Sequence, residues 1–465
     1  KTMNQDTICA IATAQGGAIG SIRVSGPEAI SITGNIFKPA KAGKLLSEQK
    51  PYTLTFGRIY DGDEIIDEVL VSLFRAPHSY TGEDSTEITC HGSSYILQQV
   101  MQLLIKNGCR MAQPGEYTQR AFLNGKMDLS QAEAVADLIA SSSAATHRLA
   151  MSQMRGGFSR ELTELRNKLL NFTSMIELEL DFSEEDVEFA DRSELRRIAG
   201  NIDELLTRLC RSFSLGNVFK NGVPVAIVGN TNVGKSTLLN ALLREDRAIV
   251  SDIAGTTRDV IEDTINLNGI TFRFIDTAGI RATSDEVENI GIERTFAKIG
   301  QASVVLLLTD LNRGVESFEE YYHQVKSRLT SDAKLIIVLN KTDQVEDLLT
   351  PQETIRLFTS GEEIIPISAR TGANLDRLIQ ELTRTVNLNT LNTSDVIVSN
   401  VRHYEALRNA RTAIERVNEG LESGLSGEFI SQDIRECLHY LGEITGEITT
   451  DEVLGNIFKN FCIGK

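Results

Sequence analysis

Residues Gly229 to Ser236, reading Gly-Asn-Thr-Asn-Val-Gly-Lys-Ser, lie between the apolar run Val225–Val228 and a second apolar run, Thr237–Leu243. The first has the length and branched composition of a buried strand, and the second has the period of a helix. Glycines at the two ends of such a loop let backbone N–H groups curl inward without Cβ clashes. The helix start adds the positive end of its dipole, so an anion belongs in that cradle. Strand, G-x-x-x-x-G-K-S loop and helix in this order predict a parallel α/β layer with a phosphate site at the end of a strand. In such a loop Asn232, Val233, Gly234 and Thr237 border the phosphates and Lys235 reaches the β and γ groups. Ser236 offers its hydroxyl to Mg²⁺.

A second motif speaks to the base. Asn340-Lys341-Thr342-Asp343 follows the strand-like Lys334–Leu339. The Asp343 carboxylate can accept from guanine N1–H and the exocyclic amine, whereas adenine would leave it unpaired. Alone, N-K-x-D is often an ordinary turn. Here it is followed by Ser368, Ala369 and Arg370 after the strand-like Ile364–Ile367, and these resemble the loop that backs guanine O6 in GTPases. The set reads as GTP rather than ATP.

Asp276, Thr277, Ala278 and Gly279 follow the strand-like Thr271–Ile275. Asp276 suits the Mg²⁺ shell, and Gly279 leaves its N–H free for the γ-phosphate. Ser251, Asp252, Ile253, Ala254, Gly255, Thr256 and Thr257 form a polar segment fitting a first switch, with Thr257 as the Mg²⁺ ligand. Ile280 stands where Ras-like GTPases place a water-orienting glutamine, so water must be polarised in another way.

These motifs, with the acidic stretch Asp285–Arg294 and the terminal Phe461-Cys462-Ile463-Gly464-Lys465, resemble the MnmE (TrmE) family of tRNA-modification GTPases along essentially the whole chain. The resemblance implies K⁺-dependent hydrolysis, with K⁺ held by Asn232, Ser251, Ile253 and Thr256 where other GTPases use an arginine finger. It assigns Glu288 to the attacking water, although that residue in isolation reads as part of a solvated helix face. It implies a homodimer formed through the amino-terminal domain and a complex with the FAD protein MnmG. It further implies modification of C5 of the wobble uridine, position 34, of certain tRNAs, adding a carboxymethylaminomethyl or aminomethyl group. Family members resemble tetrahydrofolate-binding domains at the amino terminus. The folate contacts, to 5,10-methylene- or 5-formyl-tetrahydrofolate, map onto Arg23, Glu87, Lys126 and the terminal Lys465. By charge, Glu87 suits a pterin's N–H groups, and Arg23 and the lysines suit the glutamyl carboxylates.

The length suggests about three domains. Residues 1–118 mix strand-like runs with one helix near Tyr95–Asn107, an α+β domain. Residues 216–383 form a Ras-like α/β domain inserted into a helical domain built from 119–215 and 384–465. The expected class is multidomain α/β plus α, with a capping box at Ser130-Gln-Ala-Glu133 opening the helical part. Apolar residues make up 41% of the chain, and no run of about eighteen of them suggests a membrane span. No charged-then-apolar leader opens the sequence, and the six cysteines lack ligand spacing, which reads as a reducing cytoplasm without structural zinc. A net charge of −17 opposes broad nucleic-acid binding, so tRNA must meet a local basic patch or a partner. Cys462 can be read two ways, as a nucleophile toward a pyrimidine C6 or as an inert buried thiol. A different class, a regulatory or ribosome-assembly GTPase that binds RNA without modifying it, would share the GTPase motifs but not the amino-terminal domain or the Cys-Ile-Gly-Lys tail.

Overall fold

The computed structural model describes residues 6–14, 16–41, 43–181, 192–230, 232–249, 263–275, 299–310, 316–330, 333–345, 349–386, 396–459 and 461–464. The chain forms two compact units. One holds 1–139, 153–202 and 409–465; the other holds 140–152 and 203–408.

In the first unit, β1 (Ile8–Ile11), β2 (Ile19–Ser25), β3 (Phe37–Pro39), β4 (Thr53–Asp61), β5 (Glu64–Phe74), β6 (Ser85–His91) and β7 (Arg110–Met111) make one sheet ordered β3-β4-β5-β6-β2-β1-β7. Only β1 and β7 run parallel. Alternation decides which face is covered. Ile22 and Val24 of β2, Val69, Val71 and Leu73 of β5, and Ile88 and Cys90 of β6 share one core with the helices Ala29–Ile36 and Ser94–Lys106. Arg23 and Glu87, one residue out of phase, fall on the other face and stand opposite each other in the β2–β6 register.

The rest of this unit is helical. Gly157–Asp181 packs along Gly427–Thr445. Leu129 and Ala132 of the helix Leu129–Ala140 meet Leu454 and Phe458 of the helix Asp451–Phe458. The capping box differs from the expected one. Asp128 caps the helix Leu129–Ala140: its Oδ1 accepts from the Gln131 amide at 2.9 Å, and its own amide donates to Gln131 Oε1 at 2.9 Å. Ser130 lies inside the helix and donates to Asp128. A carboxylate is the stronger acceptor at a helix N-terminus, so Asp128 takes the position that Ser130 was expected to fill.

In the second unit, β8 (Val223–Gly229), β9 (Asp263–Leu267), β10 (Ile270–Phe274), β11 (Val304–Asp310), β12 (Lys334–Asn340) and β13 (Glu363–Pro366) form a sheet ordered β13-β12-β11-β8-β10-β9, parallel except for β9. The central strands are apolar on both faces, as a sheet covered on both sides requires. Val225, Ile227, Leu306, Leu308, Ile336 and Val338 pack with the helices Lys235–Ile249 and Leu375–Thr385. Ala226, Val228, Val305, Leu307, Ile337 and Leu339 face Phe318 and Tyr322 of the helix Glu316–Lys326. The stretch 140–152 joins this unit, with Asn266 Nδ2 donating to the Ser142 carbonyl at 3.0 Å. Successive strands leave β8 on opposite sides, β10 on one and β11 on the other. That reversal opens a crevice at the carboxyl end of β8, the place where ligands bind in open α/β sheets.

Candidate functional site

At that crevice β8 ends on Gly229, and the helix Lys235–Ile249 begins after a tight loop. Close approach explains both glycines. A Cβ on Gly229 would lie 2.4 Å from the Leu308 carbonyl oxygen. One on Gly234, which has φ +100°, would lie 2.2 Å from Asn340 Nδ2. Asn232 is exposed in left-handed backbone, φ 60°, and Val233 beneath it is buried. Lys235 folds over the loop, with Nζ donating to the carbonyls of Gly229 at 2.7 Å and Asn230 at 3.0 Å. Burial lowers its pKa below the usual lysine value. A partly desolvated ammonium held over the loop at a helix N-terminus is the arrangement that favours an anion. Ser236 and Thr237 open the helix beside it.

The carboxyl ends of β12 and β13 supply the second wall. Asn340, 2% exposed, donates through Nδ2 to the Val233 carbonyl at 2.8 Å and accepts the Ala369 amide at Oδ1 at 3.0 Å. One side chain therefore ties the phosphate loop to the Ser368–Arg370 loop. Lys341 follows in left-handed backbone, φ 68° and ψ 36°, and its Nζ meets Asp310 Oδ2 at 2.5 Å. Asp343, in the 3-10 turn Thr342–Gln344, accepts from Ser368 Oγ at 2.7 Å, which aims one exposed carboxylate from a fixed point. Ser368 and Ala369 are buried and Arg370 is exposed. Val233, Gly234, Asn340, Asp343, Ser368 and Ala369 are thus joined through direct contacts, and Asn232, Lys235 and Lys341 adjoin them in the chain.

In the first unit, Arg23 Nε pairs with Glu87 Oε1 at 2.8 Å, and Arg23 Nη1 donates to the Gly464 carbonyl at 3.1 Å. The Arg23 guanidinium lies 5.8 Å from the ring centres of both Tyr80 and Tyr117, and the Tyr117 hydroxyl donates to the Arg23 carbonyl at 2.7 Å. The carboxyl-terminal tail runs past this group. The Gly115 amide donates to the Cys462 carbonyl, Cys462 is exposed and Gly464 is buried. Arg23, Glu87 and the tail are together; Lys126 is exposed in another contact, donating to the Pro77 carbonyl at 2.8 Å.

Known proteins extend the comparison from single motifs to the whole chain. Residues 7–126 match the family model described as the GTP-binding protein TrmE N-terminus, and residues 129–462 match the MnmE helical domain. The chain is 69% identical over 466 residues to the tRNA modification GTPase MnmE of Bacteroides thetaiotaomicron, covering 100% of both chains. It is 70% identical to that of Bacteroides fragilis, also covering 100% of both, and 62% identical to that of Parabacteroides distasonis, covering 99% of this chain and 100% of the relative. The chain belongs to the MnmE family of tRNA modification GTPases. Among solved structures, a GTP-binding protein from Sulfolobus solfataricus in complex with GDP is 18% identical over 48% of this chain and 67% of its own, at a TM-score of 0.28, a likeness too slight to bear on the fold.

For this family member the remaining assignments fall outside the described residues: Ser251, Asp252, Ile253, Ala254, Gly255, Thr256 and Thr257, Asp276, Thr277, Ala278 and Gly279, Glu288 and Lys465. Among the described residues no helix is long and apolar enough to cross a membrane. Two features of the sites escaped the sequence. The Asp310–Lys341 pair had one local signal, an acidic residue ending the otherwise apolar β11 beside the loop strand. The tyrosines around Arg23 had none, because Tyr80 and Tyr117 reach it only through the fold.

Proposed function

We propose that this chain is a K⁺-dependent GTPase that works with the FAD protein MnmG to modify C5 of the wobble uridine, position 34, of certain tRNAs. The product carries a carboxymethylaminomethyl or aminomethyl group whose one-carbon unit comes from 5,10-methylene- or 5-formyl-tetrahydrofolate. The observation that carries the nucleotide half is the Asn340 bridge, which joins a loop shaped for phosphates to a loop that holds the Asp343 carboxylate at a fixed angle. Guanine presents two donors to that carboxylate, and adenine does not.

The donors suit hard cations. The Ser236 hydroxyl at the helix start, with Thr257, fits Mg²⁺, and the exposed Asn232 amide, with Ser251, Ile253 and Thr256, fits K⁺. Such ions, when bound, neutralise charge that develops on the phosphates. Among the chain's own groups, Lys235 orients the β and γ oxygens, Gly279 donates its N–H, Asp276 supports the Mg²⁺ shell and Glu288 orients the attacking water. In the amino-terminal domain, residues 1–118, Arg23, Glu87, Lys126 and Lys465 hold folate. The exposure of Cys462 leaves its thiol free to act near that ligand. The GTPase domain, 216–383, lies within a helical domain made of 119–215 and 384–465. The protein is a cytoplasmic homodimer formed through the amino-terminal domain.

Hydrolysis of GTP and ATP by the purified chain tests the nucleotide assignment. GTP turnover in K⁺ buffer with little ATP turnover is expected; equal use of the two nucleotides would remove it.

A further inference from the structure

We propose that Asp310 is a positioning residue for guanine recognition, acting through Lys341. This rests on the guanine-nucleotide reading of the crevice and adds to it a residue outside the motif. Asp310 ends β11 and stands opposite Asn340 in the parallel β11–β12 register. β11 is paired on both sides, with β8 and with β12, so the carboxylate projects from one of the most constrained strands of the sheet. It is buried, and its Oδ2 accepts from the Lys341 ammonium at 2.5 Å, a charge-assisted bond.

Lys341 is where an anchor is needed. Left-handed backbone is disfavoured for a residue with a long side chain. Rotation of Lys341 toward the right-handed or extended region is opposed by the ion pair together with the backbone bonds from Thr342 N–H to the Ile367 carbonyl and from Gln344 N–H to the Lys341 carbonyl. Such a rotation would move both neighbours at once. On one side Asn340 bridges Val233 and Ala369; on the other Asp343 is held by Ser368. The ion pair therefore adds a side-chain tether to the turn that sets the angle between the phosphate loop and the base-reading carboxylate. Lys334–Glu381, in the same unit, joins β12 to the helix Leu375–Thr385 with its lysine at the opposite end of the strand. It ties the fold without touching this turn.

The test is equilibrium binding of a fluorescent GDP to the full chain, with competition by GDP and by inosine diphosphate, which lacks the exocyclic amine. Asp310→Asn, Lys341→Met and the double variant are compared with wild type, and thermal unfolding is followed for each. Asp310→Asn should weaken GDP binding about tenfold, and inosine diphosphate binding less, so the preference between them shrinks. Because Asp310 acts through Lys341, the double variant should bind GDP no worse than Lys341→Met. Additive losses overturn the proposal. So does unchanged GDP affinity, or an equal loss for both nucleotides that tracks a fall in thermal stability. If Asp310→Asn does not fold, Lys341→Arg, which keeps a charge near Asp310, must retain the preference that Lys341→Met loses. Equal behaviour of those two overturns the proposal. A wild type that binds no GDP would instead overturn the guanine reading itself.

Discussion

Replacing Asn340 with alanine is expected to uncouple the phosphate loop from the Ser368–Arg370 loop. The side chain is 2% exposed and makes two buried hydrogen bonds, to the Val233 carbonyl at 2.8 Å and from the Ala369 amide at 3.0 Å. Alanine leaves that carbonyl and that N–H buried without their partner, at about 1–3 kcal/mol for each. Some relaxation, or a water entering the vacated space, returns part of the loss, so the net cost should be about 2–4 kcal/mol. In a unit of this size that lowers the midpoint of unfolding by roughly 5–15 °C. The chain has no tryptophan, so differential scanning calorimetry is the suitable probe, and the transition of the second unit is the one to follow. Asn340→Asp should be at least as damaging, because it sets a carboxylate oxygen against the Val233 carbonyl. A second-unit transition within about 1 °C of wild type, with nucleotide affinity unchanged, would refute the bridge.

Acid should weaken the first unit. Burial on its own would raise the Glu116 carboxyl, but hydrogen bonds from Arg110, the Gln113 amide and Arg120 hold it below its ordinary value; Arg110 and Arg120 do the same for Asp6 against a burial that would raise it. A carboxyl depressed in the folded state contributes stability above its unfolded value of about 4 and loses that contribution as pH falls through the folded one. Calorimetry should therefore show a steady transition down to about pH 5 and a falling one below about pH 4, with Glu116→Gln flattening the profile; an unchanged profile in that variant would contradict the network's role. Asp343→Asn should shift preference from GTP toward xanthosine triphosphate in a nucleotide titration, since the amide opposes guanine's donors and can donate to xanthine's carbonyl. Replacing K⁺ by Na⁺ should slow GTP turnover strongly and leave binding nearly intact, and Asn232→Ala should do the same in K⁺ buffer; turnover indifferent to the ion would remove Asn232 from its role.

Local pattern made the second unit's crevice legible. The apolar runs at Val225–Val228 and Lys334–Leu339 became β8 and β12, and the loop's glycines sit where a Cβ would strike Leu308 or Asn340. Convergence is a different kind of information. That Asn340 would reach Val233, or Lys341 would reach Asp310, depends on β11 lying between β8 and β12, an order no local period encodes. The first unit shows the same limit. Arg23 and Glu87 were assigned to opposite ends of a ligand by their charges, yet the β2–β6 register places them face to face as an ion pair. The short helices Glu116–Leu123 and Asp451–Phe458 were missed because each is about two turns long and makes its apolar contacts through the fold. At Asp128 the signal was present, but two capping residues two positions apart, Asp128 and Ser130, competed and the stronger acceptor prevailed.

In the proposed function, GTP hydrolysis by this chain drives uridine modification in tRNA. The most direct measurement of this claim is the nucleoside composition of bulk tRNA from cells lacking the chain, complemented with wild type, Lys235→Ala or Glu288→Ala. Wild type should restore the C5-modified wobble uridine, and neither variant should. Purified Glu288→Ala should still bind GTP while hydrolysing it about two or more orders of magnitude more slowly. Modified uridine that persists in the deletion strain, or that Glu288→Ala restores at a wild-type level despite lost hydrolysis, would contradict the claim.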